Sequence, residues 1–315
     1  MRDKTTPDVV TIGVITFRRA DRLAHLLEAL DRLELGGMHV EVVVVDNDPE
    51  SSARPTVSAW NGRQFSRVRY VHEPEPGIAA ARNRVWSCVD TPWLAFIDDD
   101  ETPEPQWLSA LLATQRRTGA DVVVGPVVAA ADDLPQWFQD REHHAEGERV
   151  AIASTGNLLL RAALRDEFDG EPFDRHYGLT GGSDRVLSLD LRARGHEIVW
   201  SAEAIVHETV PAERLDPAWI RRRFVRYGTV VVRTDCRSAS PVERAGRRAL
   251  RLVEGLARTA RALVHLRIVD GQSPQWGAAL QQRGYGEGLV LGALGFHVVE
   301  YRRAGSWLRR SRAAT

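Results

Sequence analysis

Short unbroken apolar runs alternate with helical stripes through the first 130 residues. Val9 to Ile15 is apolar apart from Thr11 and Gly13 and stops at Thr16-Phe17-Arg18-Arg19, as a buried strand entering a polar loop does. From Asp21 to Leu33, Leu23, Leu26, Leu27 and Leu30 recur at helical spacing. They predict a helix packed on a sheet, ended by Gly36-Gly37. Val40 to Val45 is a second run, broken by Asp46-Asn47-Asp48-Pro49. A strand at Val68 to Val71, a helix over Gly77 to Val89 and a strand at Trp93 to Ile97 follow. A helix from Pro105 to Thr118 and a strand from Asp121 to Val128 complete the series. Continuous rather than alternating apolar runs mean strands covered on both faces. The order predicts an α/β domain with a largely parallel sheet. Ligands of such sheets bind beyond the carboxyl ends of the strands. Thr16, Asp46 to Asp48 and Asp98 to Asp100 are therefore expected to line one crevice.

The pattern lapses between Ala130 and Arg149, a polar stretch carrying Trp137, Phe138, His143 and His144. A loop this long inside a domain is often functional, although the His pair has no ligand pattern around it and reads as a loop feature. An apolar piece around Asn157 to Leu160, a Gly-rich turn at Gly178 to Gly182 and a helix from Asp184 to Arg194 come next. Ile198 to Trp200 and Ala204 to His207 read as short extended pieces. From Pro217 the chain reads as helical and Arg-rich.

Composition adds an asymmetry. Net charge is -1 over 315 residues, but from Pro211 onward there are 20 Lys and Arg against 8 Asp and Glu, leaving 22 against 35 before it. Two functional zones are expected: an acidic front part at 1–210 and a basic, mainly helical extension at 211–315. Two cysteines, Cys88 and Cys236, support neither a disulfide framework nor a zinc site and fit a cytoplasmic protein. Met1 to Pro7 lacks an apolar signal core, and no stretch approaches the ~20 apolar residues of a membrane span.

The chemistry concentrates in a few places. Asp98-Asp99-Asp100 follows a buried run directly, and three adjacent carboxylates repel one another. A divalent cation such as Mg or Mn relieves that repulsion through one or two carboxylates plus phosphate oxygens. The alternative is a helix cap with first-turn acids, which Glu101 and Glu104 would extend. Asp46 and Asn47 can hydrogen-bond a base or ribose, or form an Asx turn before Pro49. Gly77 opens a helix whose N-terminus favours anions. Arg82 on that helix can pair with phosphate or the acidic clusters, or lie on the surface. Asp184, after Gly181-Gly182-Ser183, is a candidate base or an N-cap. His207 is a candidate metal ligand or a structural His.

Taken in order, these segments resemble the family 2 glycosyltransferases of the GT-A fold, in the flavour of bacterial exopolysaccharide (succinoglycan-type) glucosyltransferases. The stretches are Val10-Thr-Ile-Gly-Val-Ile-Thr-Phe-Arg18, Val42-Val-Val-Val-Asp-Asn-Asp48, Gly77-Ile-Ala-Ala-Ala-Arg-Asn83 and Phe96-Ile-Asp-Asp-Asp100. Thr155-Gly-Asn-Leu-Leu-Leu-Arg161, Gly181-Gly-Ser-Asp184 and Ala204-Ile-Val-His207 follow, so the likeness covers about the first 210 residues. It implies transfer of a sugar, with inversion, from a nucleotide-diphosphate sugar, UDP favoured, to a glycan, lipid-linked or small-molecule acceptor. Thr16, Phe17, Arg18, Asp46, Asn47, Gly77, Arg82, Asp98 and Asp99 would hold the nucleotide-sugar. Asp98 and Asp100, joined by His207, would hold Mn or Mg. Asp184 would be the general base. Asn47 and Ser183 depart from the family pattern, which often has Asp at the first and Glu at the second; the second departure bears on acceptor binding. A sugar nucleotidyltransferase and a non-catalytic nucleotide-sugar-binding protein are the alternatives. The first usually shows a Gly-rich phosphate loop after its first strand, where this chain has Thr16-Phe17-Arg18-Arg19.

In the tail, Arg244 to Arg267 mixes Arg with Leu252, Leu256, Leu263 and Leu266. One reading is a basic amphipathic helix at the inner face of an anionic membrane. The other is a helix with its Leu face packed on the catalytic domain and its Arg face solvated. The Gly-containing segment from Gly284 to Gly295 favours the second. Nucleic acid is not expected as a partner, because the run lacks a recognised module.

Overall fold

The computed structural model describes residues 8–130, 134–138 and 144–299 and the backbone of 308–310. His143, of the His pair above, lies outside them. The chain forms two compact units, one of Met1–Ala130, Arg141–Gly178 and Ser183–Thr209, the other of Ala131–Asp140, Leu179–Gly182 and Val210–Thr315.

The first unit runs β1 (Val9–Thr16), α1 (Ala20–Leu30), β2 (His39–Asp46), α2 (Arg54–Ala59), β3 (Arg67–His72), α3 (Ile78–Ser87) and β4 (Trp93–Asp98). It continues through β5 (Glu101–Pro103), α4 (Trp107–Thr118), β6 (Val122–Val124), β7 (Val127–Ala130) and β8 (Asn157–Arg161). It closes with α5 (Ser183–Ala193), β9 (Ile198–Trp200) and β10 (Val206–Thr209). Seven strands form one sheet in the order β3-β2-β1-β4-β8-β6-β9, parallel except for β8, which runs against both neighbours. Both faces are covered, as the unbroken runs require. Val42 and Val44 of β2 join Leu23, Leu26 and Leu27 of α1 on one side. Val43 and Val45 join Ala79, Val85 and Trp86 of α3 on the other. Gly13 lets α3 approach, since a Cβ there would collide with Val85.

Two expectations change. The first helix ends at Leu30, not Leu33. Leu33 is still buried, but it lies in the irregular segment beyond the helix, before the turn where Gly36 and Gly37 take positive φ, so apolar spacing outlasts the helix. The run from Asp121 to Val128 splits into β6 and β7. Pro126 has no N–H to continue a ladder, and a Cβ on Gly125 would strike Ala204 and Asn157. Buried Asn157 holds the break: its amide donates to the carbonyls of Pro126 (2.9 Å) and Ala204 (2.6 Å), and its Oδ1 accepts from Trp107 (2.8 Å). The chain thereby leaves the large sheet and enters a second one, of order β5-β10-β7. The short elements α2 and β5 had no sequence signal.

The second unit contains α6 (Pro217–Asp235), α7 (Pro241–Ile268), α8 (Pro274–Ala293) and the pair β11 (Phe296–Val298) and β12 (Leu308–Arg310). Glycine builds it. A Cβ on Gly284 or Gly288 of α8 would meet the backbone of α6 at Arg221 or Val225, and one on Gly255 of α7 would meet Gly286 of α8. Trp137, from the irregular stretch, is buried in this unit beside Ile220, Leu280 and the Trp276 ring, 5.5 Å away.

Candidate functional site

Parallel register brings the polar strand ends to one edge of the large sheet. Thr16 stands opposite Asp46, Asp46 opposite His72, and Ile15 opposite Asp98. Asp98 ends β4, in the large sheet, and Asp99 and Asp100 form the turn to β5, in the small one.

The three aspartates differ in their surroundings. Buried Asp99 accepts from Thr16 Oγ1 (2.8 Å) and Arg19 (3.0 Å). Its pKa is raised by desolvation, which those two donors only partly offset. Asp100 accepts from Arg19 (3.2 Å) and Arg22 (3.0 Å). Among the described residues no hydrogen bond or ion pair engages the Asp98 carboxylate. Its amide donates to Glu101 Oε2 at 3.0 Å. Desolvation, helped by the charges of Asp100, Asp99 and Glu208 and opposed by Arg82, pushes the Asp98 carboxyl up to about 6. Burial lowers the Arg19 pKa, but Asp99 and Asp100 outweigh it and the net shift is upward.

The loop after β2 is organised from within. Asp46 accepts from the amides of Asp48 (2.9 Å) and Ala53 (2.8 Å) and from the Tyr70 hydroxyl (2.9 Å), with no surface exposed. This is an Asx-type brace, and the Asp46 carboxylate is committed to it. Asn47 donates to the carbonyls of Glu73 and Glu75 and accepts from the Gly77 amide at 3.1 Å. It thus ties the β2 edge to the start of α3. Gly77 has φ 126°, a value reserved for glycine. Arg18, also at positive φ (54°), binds Asp48 at 3.1 Å beside the half-exposed Phe17 ring. Burial raises the Asp48 pKa, but the nearby Ser52 side chain and the hydrogen bonds from Arg18 and the Glu50 amide bring the net shift below the usual range.

Arg82 connects the halves of the site. It is buried on α3, donates to Ser183 Oγ at 3.1 Å and lies over the Phe173 ring, and among the described residues its Nε has no hydrogen-bond partner. Its charge is felt at Asp98. Ser183 opens α5, so this bond anchors the helix start that carries half-buried Asp184. Among the described residues Asp184 Oδ1 accepts only a local amide, from Arg185 (2.8 Å). His207, on β10, has Nε2 3.1 Å from Glu104 Oε1.

Among the described residues no three His, Cys, Asp or Glu side chains converge as a ready metal cage. The donors still suit a hard divalent cation. Such ions take one or two carboxylates and fill their shell with phosphate oxygens, and the crowded Asp98 carboxylate forms no ion pair among the described residues, although it feels the Arg82 charge. Arg19, Arg22, Tyr70 and Glu101 escaped the sequence reading as site residues. Arg19 and Arg22 had a signal, an i,i+3 pair at the helix start after the first polar loop.

The glycosyl transferase family 2 model matches residues 11–188, which contain every site residue above except His207. The succinoglycan biosynthesis protein ExoM of Rhizobium meliloti is 37% identical over 230 residues, 70% of this chain and 72% of that one. Among solved structures, a mannosyltransferase from Pyrobaculum calidifontis in complex with GDP-Man and Mn2+ superposes with TM-score 0.56 at 16% identity. The match covers 93% of this chain and 75% of that one. Residues 1–349 of S. aureus TarS in complex with UDP give TM-score 0.51 at 15% identity, covering 96% of each chain. Against the longer TarS chain, coverage of that chain is 55%. The architecture is the GT-A fold, and by the matched family model and this identity to ExoM the chain belongs to glycosyl transferase family 2.

Proposed function

We propose that this protein transfers a sugar from a nucleoside-diphosphate sugar to an acceptor hydroxyl in one inverting displacement. The observation that carries the reading is the buried Arg82 hydrogen bond to Ser183 at 3.1 Å, which fixes the start of α5, and Asp184 with it, on a cation whose charge is also felt at Asp98. Thr16 and the loop braced by Asp46 and Asn47 form the base and ribose end. Phe17, Arg18 and Gly77 flank it. Asp46 acts there through the loop it braces. Arg82 and the Asp98–Asp99 edge face the diphosphate and sugar. One structural relative is in complex with UDP, which supports UDP as the nucleotide, and another is in complex with GDP-Man.

A divalent cation, Mn or Mg, would be held by Asp98 and Asp100. Bound there, it would neutralise charge on the leaving diphosphate. His207 would join it only by giving up Glu104. Asp184 takes the proton from the acceptor hydroxyl. The freed oxygen forms its bond to the anomeric carbon as the bond to the diphosphate oxygen breaks, and the nucleoside diphosphate departs with that electron pair. Ser183, in place of an acid, gives Arg82 a neutral partner and leaves its positive charge for the donor.

The test is a screen of nucleotide-sugars for transfer and hydrolysis, with Asp184→Asn alongside. Transfer should fall by roughly 10²- to 10⁴-fold while UDP binding, followed by calorimetry, stays as in the parent. Full activity in that variant would falsify the assignment of the base. Asp100→Ala should remove the Mn dependence of UDP affinity; parent protein that binds UDP equally with and without Mn sinks the metal assignment.

A further inference from the structure

Helix α7 buries its small residues and exposes its large ones. Gly255 and Ala262 are its buried positions. Val242, Leu250, Val253, Leu256, Val264 and Ile268 are between 56% and 82% exposed. At 3.6 residues per turn these six share one arc, on the side away from the Gly255–Ala262 seam. Of the four leucines singled out in the sequence, Leu256 and Leu263 are exposed and Leu252 and Leu266 half-buried. The expectation of a packed Leu face holds only in part: Leu266 packs beside Trp137 and Ile220, while Leu256 and Leu263 do not pack.

The polar residues beside the arc are basic. Arg247, Arg261, His265 and Arg267 are exposed. The helix holds seven Arg against two Glu. Glu254 is engaged by Arg251 (2.7 Å) and Arg258 (2.9 Å), and Glu243 is spent in the capping box with Ser240. An aliphatic strip about 40 Å long at 1.5 Å per residue, edged by cations, is left on the surface of the second unit.

We propose that this face of α7 docks on an anionic lipid bilayer, with the helix in the headgroup plane and the aliphatic arc turned to the acyl chains. Charge selects the occupant. A second copy placed on the same strip would set Arg edge against Arg edge. A protein partner would be expected to find aromatic anchors, and α7 contains no aromatic residue. No helix among the described residues is long and apolar enough to cross a membrane, so the contact is lateral. The inference does not depend on the reaction proposed above.

The experiment is flotation of the full chain with vesicles of phosphatidylcholine alone, or mixed with phosphatidylglycerol. The mixed vesicles should bind about tenfold or more tightly, since each Arg near an anionic surface adds to the attraction, and salt should weaken that binding. The triple variant Leu250→Ser, Val253→Ser, Val264→Ser should lose vesicle binding and keep the parent melting temperature. Arg261→Gln with Arg267→Gln should reduce the preference for phosphatidylglycerol, and this decides the matter should the triple variant fail to fold. The proposal is overturned if the parent chain ignores the mixed vesicles or if the Arg pair leaves the preference unchanged. A folded triple variant that still floats overturns it too. So does a parent that sediments as a dimer, dispersed by the triple substitution, without binding vesicles.

Discussion

The two units solve the burial problem in opposite ways. In the sheet unit, large side chains fill the interior: Trp86, Trp107, Phe173 and Ile12 are fully buried, and charge gathers at the strand ends. In the helical unit, the closest contacts are between backbones, with Gly284, Gly288 and Gly228 setting α6 against α8. Much of the aliphatic surface of α7 stays outside. Hydrophobicity alone therefore locates the core in the first unit and misplaces it in the second. What decides burial in the second is the absence of a Cβ, because glycine lets two helix axes come close enough for backbone contact.

The largest effect should come from the aromatic core. Trp86→Ala removes a ring packed against Phe96 and Phe173 and a hydrogen bond to the Ala162 carbonyl. It should cost about 3–5 kcal/mol in urea unfolding. A cost under about 1 kcal/mol would mean that the first core is as replaceable as the surface of α7. Next, Gly288→Leu places a side chain against the Val225 backbone, where no flexible side chain can yield. A loss of about 1–3 kcal/mol or more, read as a lower melting temperature, is expected. Normal melting would show that the helices are held by something other than glycine contact.

The smallest effect concerns charge outside either core. His196 lies 2.9 Å from Asp121 and 3.0 Å from Glu167. Burial lowers its pKa, but the two carboxylates outweigh this and the net shift is upward. A raised pKa stabilises the folded chain fully below the unfolded value, near 6.5, and that stability is lost as pH rises through the folded value. His196→Gln should cost on the order of 1 kcal/mol at pH 6. The gap from the parent should close at higher pH; a gap that widens would reverse the assignment of sign.

Much of the first unit is legible because a strand buried on two faces needs an unbroken apolar run, and Val40 to Val45 is one. The direction of β8 is not legible. Asn157 to Leu160 is apolar whichever way it runs, and what aligns it is pairing with β4 and β6. At the site, the polar strand ends could be read from their position alone. The commitment of Asp46 could not, because its partners Ala53 and Tyr70 belong to a loop and to another strand. The pairing of Asp99 and Asp100 with Arg19 and Arg22 joins residues about 80 positions apart. Such contacts follow from strand order and leave no local trace. In α7 the apolar period was visible, but periodicity says which residues share a face and not whether that face is covered.

The glycine seam of α8 also bears on how this protein can diverge. Among Gly284, Gly286, Gly288 and Gly292, each hydrogen stands where any heavier substituent would push two helices apart. Drift in the helical unit is thus constrained at its least conspicuous letters, while the bulky aliphatics of α7 are free to change with whatever surface they meet. Distant relatives of this unit should be recognisable by the spacing of their glycines after their hydropathy profiles have ceased to agree.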